Sequence, residues 1–62
     1  MMDEHQRDKG TLLIVEDDED SREVMRDYLE EFGFTVEGAA DGAEGLEKAR
    51  ARSFDLIITD VN

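Results

Sequence analysis

The sequence contains no cysteine, no proline and no tryptophan. Without cysteine, neither a disulfide nor a thiolate metal site can stabilise the fold. No apolar run approaches the roughly 18 residues that a membrane-spanning helix needs. The first ten residues contain no apolar stretch, so we do not expect a signal peptide. These absences together favour a cytoplasmic protein.

Basic residues are also scarce, with 7 Lys and Arg against 18 Asp and Glu and a net charge of −11. Nucleic-acid binding depends on neutralising phosphates with basic side chains, and anionic membrane surfaces attract the same residues. The charge therefore disfavours both nucleic acid and membrane as partners of this segment. With 62 residues, the chain amounts to one small domain at most, and such domains have marginal stability.

Short apolar runs alternate with helical patterns along the chain. Residues 1–10 are polar and aperiodic, and we interpret them as a disordered leader. TLLIV at 11–15 and DLIIT at 55–59 are too short for helices and rich in branched side chains, as is typical of strands buried on both faces. FTVEG at 34–38 alternates apolar and polar residues, which indicates a strand with one wet face or an edge position.

Two amphipathic helices are predicted between these strands. The first has Asp20 and Glu23 at the spacing of a capping box and a natural stop at Gly33. The second opens on Asp41 with the same acidic spacing, and Gly45 inside it costs about 1 kcal/mol relative to Ala. The predicted apolar faces comprise Val24, Met25, Tyr28, Leu29 and Phe32 in the first helix and Ala43, Leu46 and Ala49 in the second.

The order β-α-β-α-β predicts an α/β fold with parallel strands joined by right-handed crossovers. The second strand is the most polar and belongs outside, which favours the strand order 2-1-3, although the sequence alone leaves that order open. In this order the helices fall on opposite faces of the sheet. A topological switch point then opens between strands one and three, where ligands of open α/β sheets bind.

Acidic residues follow both of these strands: Glu16, Asp17 and Asp18 after the first, and Asp60 after the third. Two carboxylates about 5 Å apart repel by about 3 kcal/mol at an effective dielectric constant near 20, which a bound cation or a shared proton relieves. Oxygen ligands of this kind suit Mg²⁺, and an aspartate can accept a phosphoryl group as a nucleophile. A solvated helix start at 16–20 and a turn at Asp60 are the alternative interpretations. Because acids directly follow both apolar strands, we favour a site over these alternatives.

The segments LLIVEDDEDSREVMRDYLEEFGF, AADGAEGLEKA and FDLIITDVN resemble the opening half of the receiver domain of two-component response regulators. The acidic pair, the Gly-aromatic helix end, the DGAEGL helix start and DLIITDVN agree in type and order. The resemblance implies a flavodoxin-like fold and phosphorylation of Asp60 by a histidine kinase. It also implies that Glu16, Asp17, Asp60 and the backbone carbonyl of Asn62 hold Mg²⁺.

The resemblance covers about residues 11–62, beyond which the family's fourth and fifth strands, with their Ser/Thr and Lys, have no counterpart. We therefore expect a truncated receiver domain over 11–62 whose phosphorylation is lost or impaired. Its third strand, central in the family, would be an exposed edge that invites self-association. Asp18 falls one place beyond the acidic pair and would be only peripheral.

Two other functions are compatible with parts of the pattern. One is a structural or dimerising half-domain that is not phosphorylated. The other is an aspartate-nucleophile phosphatase resembling the haloacid dehalogenases, but their DxD pattern would fall on residues 60–62, where Asn62 replaces the second acid. We therefore expect a signalling module and not an enzyme, with Mg²⁺ as its cofactor and a histidine kinase as its phosphodonor.

Overall fold

The fold is seen in a computed structural model that describes residues 9–59. Its elements are β1 (Thr11–Val15), α1 (Glu19–Glu31), β2 (Thr35–Ala39), α2 (Gly42–Ala51) and β3 (Leu56–Thr59). All strand pairs are parallel, and the sheet order is β2-β1-β3. The predicted flavodoxin-like half-domain with strand order 2-1-3 is confirmed.

The predicted leader is only partly covered, since residues 1–8 lie outside the described part. The Lys9 amide donates to the Gly33 carbonyl at 3.1 Å, and the Gly10 carbonyl accepts from the Thr35 amide at 2.9 Å. These bonds tie the approach to β1 to the start of β2. The extent of the leader stays a prediction.

The core lies on both faces of the central strand β1. Leu13 and Ile14 are completely buried, and successive strand side chains point to opposite faces. Leu12 and Ile14 pack with Val36 on the face that α1 covers; the partly buried residues of this cluster are Met25, Leu29 and Phe34. On the other face, Gly45 of α2 approaches Val15. The helices therefore cover opposite faces, as the crossover argument predicts.

Helix α1 begins earlier than the spacing of Asp20 and Glu23 predicts. Asp18 has an extended backbone conformation and is the N-cap, and its Oδ2 accepts from the Ser21 amide at 2.9 Å. Asp20 lies inside the helix. The chain turns immediately after β1, so the first residue able to cap is Asp18 and not Asp20.

The end of α1 follows the prediction at Gly33, whose φ is +101°. The Phe34 amide donates to the Leu29 carbonyl and the Gly33 amide to the Glu30 carbonyl. This pair of bonds is the Schellman arrangement, which needs a left-handed residue after the last helical turn. Phe34 and Leu29 both pack on the core, so the same turn directs the chain into β2.

The predicted apolar face of α1 is only partly used among residues 9–59. Met25 and Leu29 pack on the core cluster. Val24, Tyr28 and Phe32 remain 67%, 62% and 52% exposed, and the rings of Tyr28 and Phe32 lie 5.0 Å apart. The predicted face is therefore too wide. A helix contacts a flat sheet along one narrow line, and here that line runs through Met25 and Leu29.

Helix α2 contacts the sheet through Gly45 and not through Leu46. Gly45 is buried, whereas Leu46 is 57% exposed and Ala43 is also exposed. A Cβ on Gly45 would lie 2.9 Å from Cγ2 of Val15. The glycine that lowers helix propensity therefore allows close packing of α2 against β1.

The two outer strands differ in how their edges are covered. At β2, the Lys48 ammonium donates to the Gly38 carbonyl at 2.8 Å and lies 3.6 Å from the Glu37 carboxylate. At β3, Leu56 and Ile57 are 55% and 46% exposed. Within residues 9–59, β3 pairs with β1 alone. A cationic side chain thus shields one edge, while the other presents apolar side chains.

Candidate functional site

A cleft of about 650 Å³ lies where β1 and β3 end. The sheet order β2-β1-β3 makes β1 and β3 neighbours. The cleft therefore lies at the predicted switch point, between the carboxyl ends of these two strands. Its lining combines polar and apolar side chains, among them Glu16, Asp20, Ser21, Met25, Ile58 and Thr59.

Glu16 is the most firmly held acidic residue of this cleft. It is only 8% exposed. Its amide donates to the Ala39 carbonyl at 3.0 Å, and its carbonyl accepts from Nη1 of Arg22 at 2.7 Å. Its carboxylate Oε2 accepts from the Asp18 amide at 3.0 Å. Backbone and side chain are therefore both fixed, so this carboxylate is oriented in advance.

Arg22 is a participant that the sequence reasoning missed. It lies on α1 six positions beyond Glu16 and is half-buried. Hydrophobic periodicity assigns such a charged residue to the solvent side of a helix. The only sequence signal was the glycine at position 38, beside which the arginine side chain passes.

The two acids that follow Glu16 have different surroundings. Asp17 and Asp18 are both exposed. Hydrogen bonds from the backbone and side chain of Ser21 lower the pKa of Asp18 most, and the charge of Arg22 lowers it further, while desolvation opposes the shift. Asp18 thus stays ionised as the helix cap, which is a more specific role than the peripheral one predicted. Asp17 is left as the solvent-facing carboxylate of the pair.

The remaining predicted site residues, Asp60 and Asn62, lie outside the described residues. The register of β1 with β3 pairs Val15 with Thr59. These are the residues immediately before Glu16 and Asp60 in the sequence. Within residues 9–59, no three His, Asp or Glu side chains are grouped so as to hold a metal ion. No helix in the same part of the chain is long and apolar enough to cross a membrane.

A parallel sheet with helices on both faces and a fixed carboxylate at the end of its central strand defines an open α/β domain, a class in which ligands bind at the carboxyl edge of the sheet. Residues 12–62 match the response regulator receiver domain family. This match spans most of the chain, and the protein therefore belongs to that family. Receiver domains are in general signalling modules of two-component systems and not turnover enzymes.

Relatives include proteins from bacteria and eukaryotes. The chain is 36% identical over 55 residues to Sensor protein EvgS of Escherichia coli, covering 89% of this chain and 5% of that protein. It is 42% identical over 50 residues to Transcriptional activator protein PfeR of Pseudomonas aeruginosa, covering 81% and 16%. It is 40% identical over 57 residues to Hybrid signal transduction histidine kinase D of Dictyostelium discoideum, covering 92% and 4%. The chain thus spans a small part of each relative.

Proposed function

We propose that this segment accepts a phosphoryl group on Asp60 and that Glu16 and Asp17 help to hold Mg²⁺ beside it. The single observation that carries the proposal is the cleft at the end of β1, where Glu16 is fixed and Asp17 faces solvent. The register supports it, because Thr59 and Val15 are paired and each directly precedes an acid of the proposed site. Asp60 and the carbonyl of Asn62 would complete the ligand set.

The available donors fit a hard divalent cation. Carboxylate and carbonyl oxygens with room for water are the ligands that Mg²⁺ prefers. Glu16 is held by neutral backbone donors and one guanidinium contact to its carbonyl, so its carboxylate carries no direct ion pair among the described contacts. When bound, Mg²⁺ would offset the negative charge of the transferring phosphoryl group.

The proposed reaction is a transfer and not a hydrolysis. A carboxylate oxygen of Asp60 forms a bond to phosphorus as the phosphorus–nitrogen bond of a phosphohistidine breaks. The histidine nitrogen keeps that electron pair and takes up a proton. A sensor histidine kinase is the proposed donor, and the names of two relatives, a sensor protein and a hybrid histidine kinase, support this choice. The acidic surface supports the further proposal that this segment binds neither nucleic acid nor membrane.

The test is phosphorylation of the 62-residue chain by acetyl phosphate with Mg²⁺, followed by intact-protein mass spectrometry. We expect slow or partial addition of one phosphoryl group to the parent, in line with the impaired phosphorylation expected of this segment, and none to Asp60→Asn. Asp27→Asn is the matched control, because Asp27 is an exposed acid on α1, and it should react like the parent. Incorporation into Asp60→Asn, or none into the parent, would contradict the proposal.

The metal is tested separately by titrating Mg²⁺ into the ¹⁵N-labelled chain. We expect amide shifts centred on Glu16 and Asp17, and their loss in Asp17→Asn with retention in Asp27→Asn. Shifts spread evenly over all exposed acids would indicate only nonspecific binding by a highly acidic surface.

A second candidate function is a self-associating scaffold that joins two copies through β3. The exposed Leu56 and Ile57 favour it, since an uncovered apolar strand is a template for pairing with another chain. Sedimentation equilibrium should show a dimer in the parent and a monomer in Ile57→Lys. A parent that remains monomeric at high concentration would rule this scaffold out.

A further inference from the structure

Three bonds hold Glu16, and one of them comes from a side chain outside the predicted site. The hydrogen bond from the Glu16 amide to the Ala39 carbonyl belongs to the sheet. The hydrogen bond from the Asp18 amide to the Glu16 carboxylate belongs to the loop before α1. The third, from Nη1 of Arg22 to the Glu16 carbonyl at 2.7 Å, crosses from helix to strand. It is the only one of the three that a side-chain substitution away from the acidic residues can remove.

The carbonyl that Arg22 holds belongs to the peptide bond between Glu16 and Asp17. A peptide unit is planar, so its carbonyl oxygen, the following amide and both Cα atoms move together. Fixing the oxygen therefore fixes the direction in which the chain enters Asp17. Within residues 9–59 no hydrogen bond or ion pair restrains the exposed carboxylate of Asp17, so the peptide plane is the observed restraint on its position.

Gly38 of β2 supplies the space through which the Arg22 side chain passes. A Cβ built on Gly38 would lie 3.0 Å from Cδ and 3.2 Å from Cγ of Arg22, well inside normal carbon–carbon contact of about 3.5–4.0 Å. Gly38 has no positive φ, so its backbone does not require glycine. The missing side chain, and not the backbone conformation, is what the arginine uses.

We infer that Arg22, lodged against Gly38, is a positioning residue for the acidic pair: it sets the Glu16–Asp17 peptide plane and through it the metal-binding geometry. This inference rests on the proposed Mg²⁺ site. The positioning role also explains why a positively charged Arg22 lies beside Glu16 and Asp17, the carboxylates proposed to bind Mg²⁺. Its charge alone would weaken Mg²⁺ binding, so its benefit must come from geometry.

Substitutions separate geometry from charge. Arg22→Lys keeps the charge but loses the planar, forked donor, and Gly38→Ala keeps the arginine but fills its passage. Both should weaken Mg²⁺ binding about tenfold, the lower range for residues that orient metal ligands. Because both act on one contact, the double variant should be little worse than either alone. The controls are Arg26→Lys, on the same helix, and Gly42→Ala, where nothing lies within 4 Å of a new Cβ.

Binding is measured by Mg²⁺ titration of the Asp17 amide resonance in each variant. A second readout needs no metal: the ¹³C′ shift of Glu16 and the ¹⁵N shift of Asp17 should change in Arg22→Lys and Gly38→Ala and stay unchanged in both controls. A general loss of structure would instead move resonances throughout the sheet.

The outcomes distinguish the two levels of the argument. A parent that does not bind Mg²⁺ would overturn the proposed function and with it the positioning role. A parent that binds Mg²⁺ while Arg22→Lys and Gly38→Ala bind equally well would overturn this inference alone. Tighter binding by Arg22→Met with unchanged binding by Arg22→Lys would likewise overturn it, because Arg22 would then act only through its charge.

Discussion

Replacing Gly45 by alanine sets two opposing effects against each other at the contact between α2 and β1. Alanine in place of glycine inside a helix favours folding by about 1 kcal/mol. The new Cβ would lie 2.9 Å from Cγ2 of Val15, and overpacking of this kind typically costs about 1–3 kcal/mol. Val15 is β-branched and stiff at χ1, so it cannot turn away freely. We expect Gly45→Ala to lower the free energy of unfolding by about 1 kcal/mol.

A second experiment removes the Val15 side chain that the new Cβ would meet. In a Val15→Ala background the same Gly45→Ala change should raise stability by about 1 kcal/mol, because only the helix propensity remains. The coupling between the two sites is then about 2 kcal/mol, within the range seen for residues in contact. Urea unfolding followed by circular dichroism gives all four values. Gly42→Ala, in the same helix with open space around its Cβ, is the control.

The reasoning would be refuted if Gly45→Ala stabilised the parent as much as it stabilises the Val15→Ala variant. The close approach seen at Gly45 would then carry no energetic weight, and the exposed Leu46 would have to be reconsidered as the contact residue.

Three further predictions concern single positions. Gly10→Ala should lower the free energy of unfolding by about 1–3 kcal/mol, because φ is +133° and the new Cβ would lie 2.9 Å from Oδ2 of Asp55; the midpoint of urea unfolding measures this loss. Ile14→Ala, at a fully buried site, should cost about 2–5 kcal/mol in the same assay. The pKa of Asp18 is lowered on folding, chiefly by Ser21, so the unfolded chain binds more protons and stability should fall as pH drops below about 4. Asp18→Asn keeps the cap and should flatten that pH dependence; an equally steep decline would show that other carboxylates cause it.

Much of the fold was accessible from the pattern of the sequence. The run TLLIV coincides with β1, and the polarity of residues 34–38 identified the outer strand before any contact was known. These predictions succeeded because β1 is buried on both faces, which leaves a continuous apolar run, whereas β2 is an outer strand. The run DLIIT, interpreted in the same way as TLLIV, instead forms the largely exposed β3. Gly33 was equally informative, since a left-handed residue at a helix end favours glycine.

The errors arose where local rules cannot see a distant neighbour. Several consecutive acids fit a cap, and only the tight turn after β1 selects Asp18. Helical periodicity groups Val24, Tyr28 and Phe32 with the buried residues, but the width of the contact is set by the sheet. Helix propensity predicts only that Gly45 destabilises α2, whereas in the fold this glycine allows α2 to pack closely against β1.

The site divides in the same way. The position of Glu16 and Asp17 was predictable, because acids directly after an apolar strand are placed at the carboxyl edge of the sheet; their role as metal ligands stays a prediction. The bond from Arg22 to the Glu16 carbonyl was not predictable, since it joins residues six apart through a long side chain that passes a glycine in another strand.

The contrast between the edges of β2 and β3 limits how large an assembly this segment could form. Lys48 of α2 donates to the Gly38 carbonyl, so within residues 9–59 part of the β2 edge is covered, whereas β3 pairs with β1 alone. If two copies pair through β3 about a two-fold axis, each copy uses its exposed β3 edge. The joined sheet then ends on both sides in β2, where Lys48 is bonded to the Gly38 carbonyl. Addition of a further copy would then have to displace this side chain. Lys48, which reaches from α2 to the edge of β2, would thereby oppose the formation of fibres.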